Sequence, residues 1–192
     1  MNEENLLEQV KAFAAEAHGE QKRKYCEDPY IVHPIRVMEL CREHKGSLPV
    51  LAACLLHDVL EDTDTGEEEL RTFLHSLLEP TEAQKTLQLV IELTDVYTHE
   101  AYPQWNRDKR KAQETERLRR VSPQAQTIKY ADIIDNSKEI VPNDPGFAPR
   151  YLKECRTLLE ALDKGNPALR KEAIQMVHNG LEGIGKKRKK SR

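Results

Sequence analysis

The sequence predicts an all-α protein folded as a single helical domain, and three observations lead to that prediction. Apolar residues recur at three- and four-residue steps along most of the chain, which is the periodicity of amphipathic helices. No segment of useful length alternates apolar and polar residues as a half-buried strand does. At 192 residues, the chain is long enough for one hydrophobic core and short for two domains. We therefore expect one bundle of roughly eight to ten helices.

Breaks in that periodicity place the helices in order. Turn-forming segments separate them, among them Gly-Ser-Leu-Pro at 46–49 and Pro-Asn-Asp-Pro-Gly at 142–146, because Gly and Pro interrupt helices. Pro34 and the pair Ser122-Pro123 instead suit helix starts. The stretches between these breaks predict helices at about 6–17, 34–41, 50–60, 70–78, 81–93, 105–120, 122–141, 148–162 and 167–181.

Composition excludes several kinds of protein. No stretch approaches the ~20 apolar residues of a membrane helix, and the acidic segment at 1–5 does not resemble a signal peptide. We therefore expect a cytoplasmic protein with no membrane partner. The cysteines are widely spaced and form no Cys-x-x-Cys pair, which predicts reduced, mostly structural thiols at Cys26, Cys41, Cys54 and Cys155.

A compact basic tail, residues 186–192, follows the last predicted helix. We expect residues 1–185 to form the domain and the tail to be disordered, since runs of like charge are usually solvated. A weak contact between the tail and RNA or another acidic surface is the alternative. The net charge of −3 gives no wider case for nucleic acid. No feature of the sequence sets the oligomeric state.

The segment His57-Asp58-Val59-Leu60-Glu61-Asp62 places four ionisable side chains at the end of an apolar run. Residues three and four apart share a helix face, so a continuous helix would place His57 over Glu61 and Asp58 over Asp62. Unpaired buried charge is costly. A bound cation would offset that cost, with His57 and Asp58 as ligands and the acidic pair left to handle water. The pattern therefore predicts a metal-dependent hydrolase.

Two other segments carry residues that can close a metal site. His33 comes directly before a proline that starts a helix, and Asp132 lies among apolar residues with Asn136 one turn later. Taken singly, His33 also suits a helix cap or a loop contact, and Asp132 also suits a buried salt bridge. Taken together, two imidazoles and two carboxylates suit a divalent ion such as Mn, Fe, Zn or Co.

An ordered set of motifs resembles the HD-domain phosphohydrolases: His33-Pro34, then His57-Asp58-x-x-Glu61-Asp62, then Asp132-x-x-x-Asn136. More narrowly, the segments at 21–34 and 57–65 resemble the (p)ppGpp hydrolase domain of the RelA/SpoT family. The resemblance runs from about Phe13 to the last helices. We expect no synthetase or regulatory domain beyond them, so the chain resembles the stand-alone small alarmone hydrolases.

The resemblance implies an HD-domain helical bundle and a role for each matching residue. It implies manganese, the ion typical of the family, although another divalent metal is compatible, and it implies the ligands His33, His57, Asp58 and Asp132. It implies that Glu61 and Asp62 orient and activate the attacking water. It implies that the nucleotide contacts Arg23, which packs on guanine, Lys24, Tyr30 and Asn136. The implied reaction removes the 3′-pyrophosphate of (p)ppGpp, the alarmone of the stringent response, and yields GDP or GTP plus pyrophosphate.

One departure from the family keeps other functions open. The family has a short, Gly-containing turn between its Arg-Lys and Pro-Tyr, whereas Tyr-Cys-Glu-Asp at 25–28 is one residue longer and has no Gly. A phosphatase acting on another nucleotide, such as NADPH, a dNTP or a nucleoside monophosphate, is the main alternative. A catalytically silent HD-fold binding protein is the other, although such a protein would be expected to have lost a ligand.

Two further features have open interpretations. Tyr130 stands where the family usually has Leu, at a position expected to pack beside the site. A basic group near the start of the sixth predicted helix would either screen an anionic substrate or form a solvated helix face; it consists of Arg107, Lys109, Arg110 and Lys111.

Overall fold

Ten helices make up the regular secondary structure of residues 2–190, which are the residues that this computed structural model describes; side chains are described for residues 2–186. The helices are α1 (Glu3–His18), α2 (Val32–Glu43), α3 (Leu48–Leu56), α4 (Val59–Asp62), α5 (Glu67–Leu77), α6 (Pro80–Leu93), α7 (Arg107–Leu118), α8 (Pro123–Asn143), α9 (Ala148–Ala161) and α10 (Pro167–Lys190). Within that range, extended pairing is limited to an isolated antiparallel bridge between Lys22 and Pro29. The all-α prediction is confirmed.

The helices form two compact units, Met1–Asp95 and Val96–Arg192. In the first unit, α3 is the central helix and packs against α1, α2 and α6, while α5 packs against α6. Every residue from Pro49 to Leu56 is buried. A helix that is apolar on all sides must be surrounded by other elements, which explains why the most apolar run of the sequence lies at the centre of this unit.

The helix predicted over Val50–Leu60 is interrupted at His57 and Asp58, two of the predicted metal ligands. Helix α3 ends at Leu56 and α4 begins at Val59, so His57 and Asp58 lie in the turn between them. In a continuous helix, the Cys54 carbonyl would accept the Asp58 backbone N–H. Instead, the Cys54 carbonyl accepts a hydrogen bond from His57 Nδ1 (2.8 Å). The prediction of one continuous helix is wrong: the backbone leaves the helix at His57 and Asp58, where the His57 side chain bonds this carbonyl.

Helix α1 ends at a glycine that turns the chain towards the site. Gly19 has φ +51°, and its backbone N–H donates to Ala15 and Glu16 at the end of the helix. A positive φ favours glycine because there is no Cβ to clash with the backbone. His18 therefore occupies the last position of α1, directly before the polar segment that leads to α2.

In the second unit, α8 packs against α9 and α10, and α7 packs against α9. The Ser122 side chain accepts a hydrogen bond from the Ala125 backbone N–H and caps α8, as the sequence predicts. Tyr130 is fully buried, and its hydroxyl donates to the Leu162 carbonyl (3.0 Å) and accepts from the Gly165 N–H (3.3 Å). The tyrosine at the usual leucine position thus anchors α8 to the connection between α9 and α10.

Helix α10 continues beyond its predicted end at 181 and reaches Lys190. The basic tail at 186–192 falls largely outside the described residues, since side chains are described only to residue 186 and the backbone only to residue 190. Its predicted disorder stays a prediction. Among the residues described, no helix is both long enough and apolar enough to cross a membrane.

Candidate metal centre

Three ligand-type side chains meet where α3 ends. His57 Nε2 lies 3.1 Å from Asp58 Oδ2, and His33 Nε2 lies 3.7 Å from the same oxygen. The ligand atoms of the three residues all lie within 4.8 Å of one another. Two imidazole nitrogens and a carboxylate oxygen at these spacings fit one divalent metal ion. The donor set therefore suits the ion that the sequence predicts.

The two histidines are held firmly in place. His33 lies in the first turn of α2 and is 1% exposed, and His57 is 3% exposed. Their ring centroids are 5.2 Å apart in an edge-on arrangement. A carbonyl oxygen can only accept, so His57 Nδ1 donates to Cys54, and in the neutral ring this leaves the lone pair on Nε2, the nitrogen nearest Asp58. A hydrogen bond from the far ring nitrogen is the usual means by which proteins orient a metal-binding histidine.

A tyrosine hydroxyl joins this cluster to one of the two predicted catalytic carboxylates. Tyr30 Oη lies 2.8 Å from Asp58 Oδ2 and 3.0 Å from Asp62 Oδ2, so the two carboxylates share its single proton. Burial, followed by the charges of Asp58 and Asp62, raises the pKa of Tyr30 far above its usual range, so the phenol is protonated. Partial burial and then the charge of Asp58 raise the pKa of Asp62. A raised pKa makes Asp62 a better proton acceptor than an ordinary aspartate.

Glu61, the other predicted catalytic carboxylate, has a different contact. Its Oε2 accepts a hydrogen bond from the Asp95 backbone N–H (3.0 Å). This bond fastens the chain that leaves α6 to the short helix α4. The break at His57 and Asp58 explains why the four ionisable residues do not share the single helix face that the spacing predicts.

The predicted nucleotide-binding segment is a loop closed on itself. The Arg23 backbone N–H donates to the Asp28 carbonyl (3.0 Å), next to the bridge between Lys22 and Pro29. Arg23 is only 8% exposed, and its guanidinium carbon lies 5.4 Å from the centroid of the Tyr30 ring. Lys24 is exposed, and its Nζ lies 4.8 Å from the centroid of the Tyr25 ring. Substrate contact by Arg23 and Lys24 stays a prediction.

Asp132, the fourth predicted ligand, lies in α8 of the second unit. Its Oδ1 accepts a hydrogen bond from Asn136 Nδ2 (2.6 Å), and its Oδ2 lies 2.9 Å from Lys129 Nζ. The residue is 7% exposed. The buried salt bridge that the sequence allowed is therefore present. Metal ligation by Asp132 and nucleotide contact by Asn136 stay predictions.

The basic group at the start of α7 makes structural contacts. Arg107 Nε and Nη2 each donate to a Glu154 carboxylate oxygen at 2.8 Å, which is a bidentate ion pair. Lys109 Nζ lies 4.1 Å from the centroid of a Trp105 ring, and Arg110 donates to the Trp105 carbonyl. These contacts account for Arg107, Lys109 and Arg110 by packing within the second unit, and a role of the group in screening substrate stays a prediction.

His18 lies beside the site and was not predicted from the sequence. Its ring stacks on Tyr30, with centroids 4.4 Å apart and planes 29° apart, and it is 6% exposed. Its Nδ1 lies 2.8 Å from Gln21 Oε1. Helical spacing was the available signal, because Val10, Ala14 and His18 lie four residues apart on one buried face of α1.

Comparisons with known proteins agree with the motifs. A family model described as "HD domain" matches residues 11–158, a range that includes parts of both units. The guanosine-3′,5′-bis(diphosphate) 3′-pyrophosphohydrolase of Aquifex aeolicus is 32% identical over 182 residues, which cover 92% of this chain and 23% of that protein. The chain therefore spans 23% of the length of that curated relative.

Shorter relatives match over more of their length. The guanosine-3′,5′-bis(diphosphate) 3′-pyrophosphohydrolase MESH1 of Danio rerio is 37% identical over 154 residues, which cover 78% of this chain and 77% of that protein. A solved structure of a metazoan SpoT ortholog that hydrolyses ppGpp has a TM-score of 0.70 and 27% sequence identity, and the match covers 95% of each chain. The resemblance predicted from the motifs is confirmed, and the chain belongs to the HD-domain family.

Proposed function

We propose that this protein is a divalent-metal-dependent hydrolase that removes the 3′-pyrophosphate of guanosine 3′,5′-bis(diphosphate). The products are GDP and pyrophosphate, and the pentaphosphate form gives GTP. The observation that carries the proposal is the cluster of His33, His57 and Asp58 with Asp62 linked to it through one hydroxyl. The relatives that bear this activity in their names supply the substrate.

Manganese is the ion that we propose for this site, held by His33, His57 and Asp58 with Asp132 as the fourth ligand. Imidazole and carboxylate donors also suit iron, cobalt and zinc. When bound, such an ion lowers the pKa of water and offsets the negative charge that grows on a phosphoryl oxygen.

The protein's own residues handle the proton and the substrate. Asp62, whose pKa is raised by partial burial and by Asp58, accepts a proton from the attacking water. The water oxygen forms a bond to the phosphorus next to the 3′ oxygen, the bond from that phosphorus to the 3′ oxygen breaks, and the 3′ oxygen takes up a proton. Arg23 offers a planar guanidinium for stacking on guanine. Lys24 offers a charge for the phosphates.

The proposal is tested by incubating Mn²⁺-loaded protein with ppGpp and separating the nucleotides by anion-exchange chromatography. We expect one GDP and one pyrophosphate for each ppGpp consumed, and no product from Asp58→Ala under the same conditions. Release of single phosphates, or no release at all, would contradict the proposal.

A phosphatase acting on another nucleotide remains the second candidate, and the closed loop that carries Arg23 and Lys24 is the observation that favours it. This loop lacks the family's glycine and holds Lys24 over Tyr25. A panel of NADPH, dNTPs and nucleoside monophosphates, run beside ppGpp at equal concentration, compares the two candidates by kcat/KM. Failure of every nucleotide would favour the catalytically silent binding protein.

A further inference from the structure

The Tyr30 hydroxyl lies between two carboxylates that have different roles in the proposed function. It is 2.8 Å from Oδ2 of Asp58, a proposed metal ligand, and 3.0 Å from Oδ2 of Asp62, the proposed proton acceptor. A phenol carries one proton and two lone pairs, so the two carboxylates share a single donor. Such a bridge brings together two like charges that would otherwise repel each other.

Asp62 depends on this bridge for its position. It belongs to α4, a helix of only four residues, and the residue as a whole is exposed. Within the described part of the chain, Tyr30 is the residue that donates a hydrogen bond to the Asp62 carboxylate. An exposed aspartate without such a donor is free to turn towards water.

Tyr30 itself is fixed from several directions. Its ring stacks on the buried His18, at 4.4 Å between centroids, and the Arg23 guanidinium carbon lies 5.4 Å from its own ring centroid. Its backbone N–H donates to the Gln21 carbonyl (2.9 Å), and the Gln21 side chain holds His18 Nδ1 at 2.8 Å. The hydroxyl is therefore presented to the two carboxylates by a rigid support built at the end of α1.

We propose that Tyr30 is a positioning residue that holds the Asp62 carboxylate beside Asp58, in the place where it can take a proton from water. This inference rests on the proposed function. It differs from a role in contacting the nucleotide, because both close contacts of the hydroxyl are carboxylates of the protein. The support from His18 and Arg23 acts through Tyr30.

Tyr30→Phe tests the inference, since it removes the hydroxyl and keeps the ring. We expect kcat to fall about 10- to 100-fold, as is usual for groups that orient the residues of a metal site, with KM unchanged. A nucleotide contact would instead raise KM at constant kcat. Tyr102→Phe, which removes the hydroxyl of a half-buried tyrosine of the second unit, is the matched control and should behave as wild type.

A double-mutant cycle shows whether Tyr30 acts through Asp62. In an Asp62→Asn background, Tyr30→Phe should cause little further loss of kcat, because residues that act as a unit are not additive. Full additivity of the two losses would overturn the inference, and so would wild-type kcat in Tyr30→Phe. If wild type released no pyrophosphate from ppGpp, the proposed function would fail on its own.

Crystal structures of wild type and Tyr30→Phe supply a readout that does not depend on the substrate. We expect the Asp62 carboxylate to leave Asp58 and turn towards solvent in the variant. An Asp62 carboxylate that keeps its wild-type position in Tyr30→Phe would overturn the inference, whatever nucleotide the enzyme uses.

Discussion

His57 owes its orientation to a backbone carbonyl rather than to the stacking of helix turns. The motif spacing suggested that four ionisable residues would share one helix face, but α3 ends at Leu56, before the motif begins. As a result, Asp58 faces the two histidines, Asp62 faces Tyr30, and Glu61 binds the Asp95 backbone. Residue types could be read from the sequence, whereas this division of contacts depends on where the helix breaks.

Asp58→Ala and Glu61→Ala should separate metal binding from turnover. Asp58→Ala removes a ligand-type carboxylate from the cluster, so bound manganese and product formation should both be lost. Glu61→Ala leaves the cluster intact, so manganese should remain bound, while kcat should fall ~10²-fold or more because the resemblance gives Glu61 a part in orienting and activating the attacking water. Bound metal is measured by mass spectrometry of dialysed protein, and turnover by pyrophosphate release.

Asp64→Ala is the matched control for both variants, because Asp64 is an exposed aspartate just after α4. It should keep metal and activity. Retention of metal and activity by Asp58→Ala would remove the site assignment, and loss of metal from Glu61→Ala would make Glu61 a ligand instead of a catalytic group.

At the scale of the helices, the positions of Gly, Pro and Ser in the sequence predicted most of the helices correctly. The break before α3, the cap at Ser122 and the start of α10 near Pro167 follow from residues whose backbone chemistry is local. Leu48 and Pro49, predicted to lie in that break, are instead the first residues of α3. The division of α3 from α4 could not be found in this way, because no Gly or Pro marks it. The hydrogen bond between the His57 side chain and the Cys54 carbonyl cannot be predicted from the spacing of apolar residues.

Tyr130 packs closely against Gly165, and Gly165→Ala should disrupt this packing. A Cβ at Gly165 would lie 2.5 Å from Tyr130 Cε2 and 2.8 Å from the Thr127 backbone nitrogen. Because one of these atoms belongs to a helix backbone, we expect overpacking to cost ~1–3 kcal/mol of unfolding free energy. The loss is measured by urea unfolding followed by circular dichroism.

Gly183→Ala supplies the control for that measurement. Gly183 lies in α10, and a Cβ there would meet nothing within 4 Å. Since alanine favours helices over glycine, we expect this variant to gain ~0.5–1 kcal/mol. If both substitutions changed the unfolding free energy equally, backbone propensity and not the contact with Tyr130 would determine the effect of Gly165→Ala.

For the whole molecule, the sequence predicted the all-α class and the family, and both are confirmed. Apolar periodicity is sufficient for the class because nearly every helix has a buried stripe. The spacing of apolar residues was less informative for Asp132. An aspartate among apolar residues is expected both for a buried salt bridge and for a metal ligand, so the pattern does not separate the two. The structure shows the pair with Lys129. Only the family resemblance predicts that Asp132 is a ligand, because a coordinating contact depends on residues distant in sequence.

The burial of the four cysteines, which lie in both units, predicts which thiols react in the native protein. Cys26 is exposed, whereas Cys41, Cys54 and Cys155 are buried, and burial raises the pKa of Cys155 to about 12. Thiolates are the reactive form, so Ellman's reagent should label one thiol in the native protein at pH 8 and four in denaturant. Cys26→Ser should reduce the native count to zero. Fast labelling of a second native thiol would contradict this distribution of buried cysteines.

The burial of α3 on every side also affects how the site exchanges its ion. Helices that face solvent fray at their ends, and residues near those ends open many times before the protein unfolds. Residues Pro49–Leu56 are all buried, so opening this helix would expose the centre of the first unit, at a cost close to that of unfolding the unit. His57 lies in the turn directly after this helix and is only 3% exposed, so it would have no easy local route away from a bound ion. A bound cation would then leave by stepwise exchange of its ligands for water, and its residence time would depend on coordination chemistry rather than on chain flexibility.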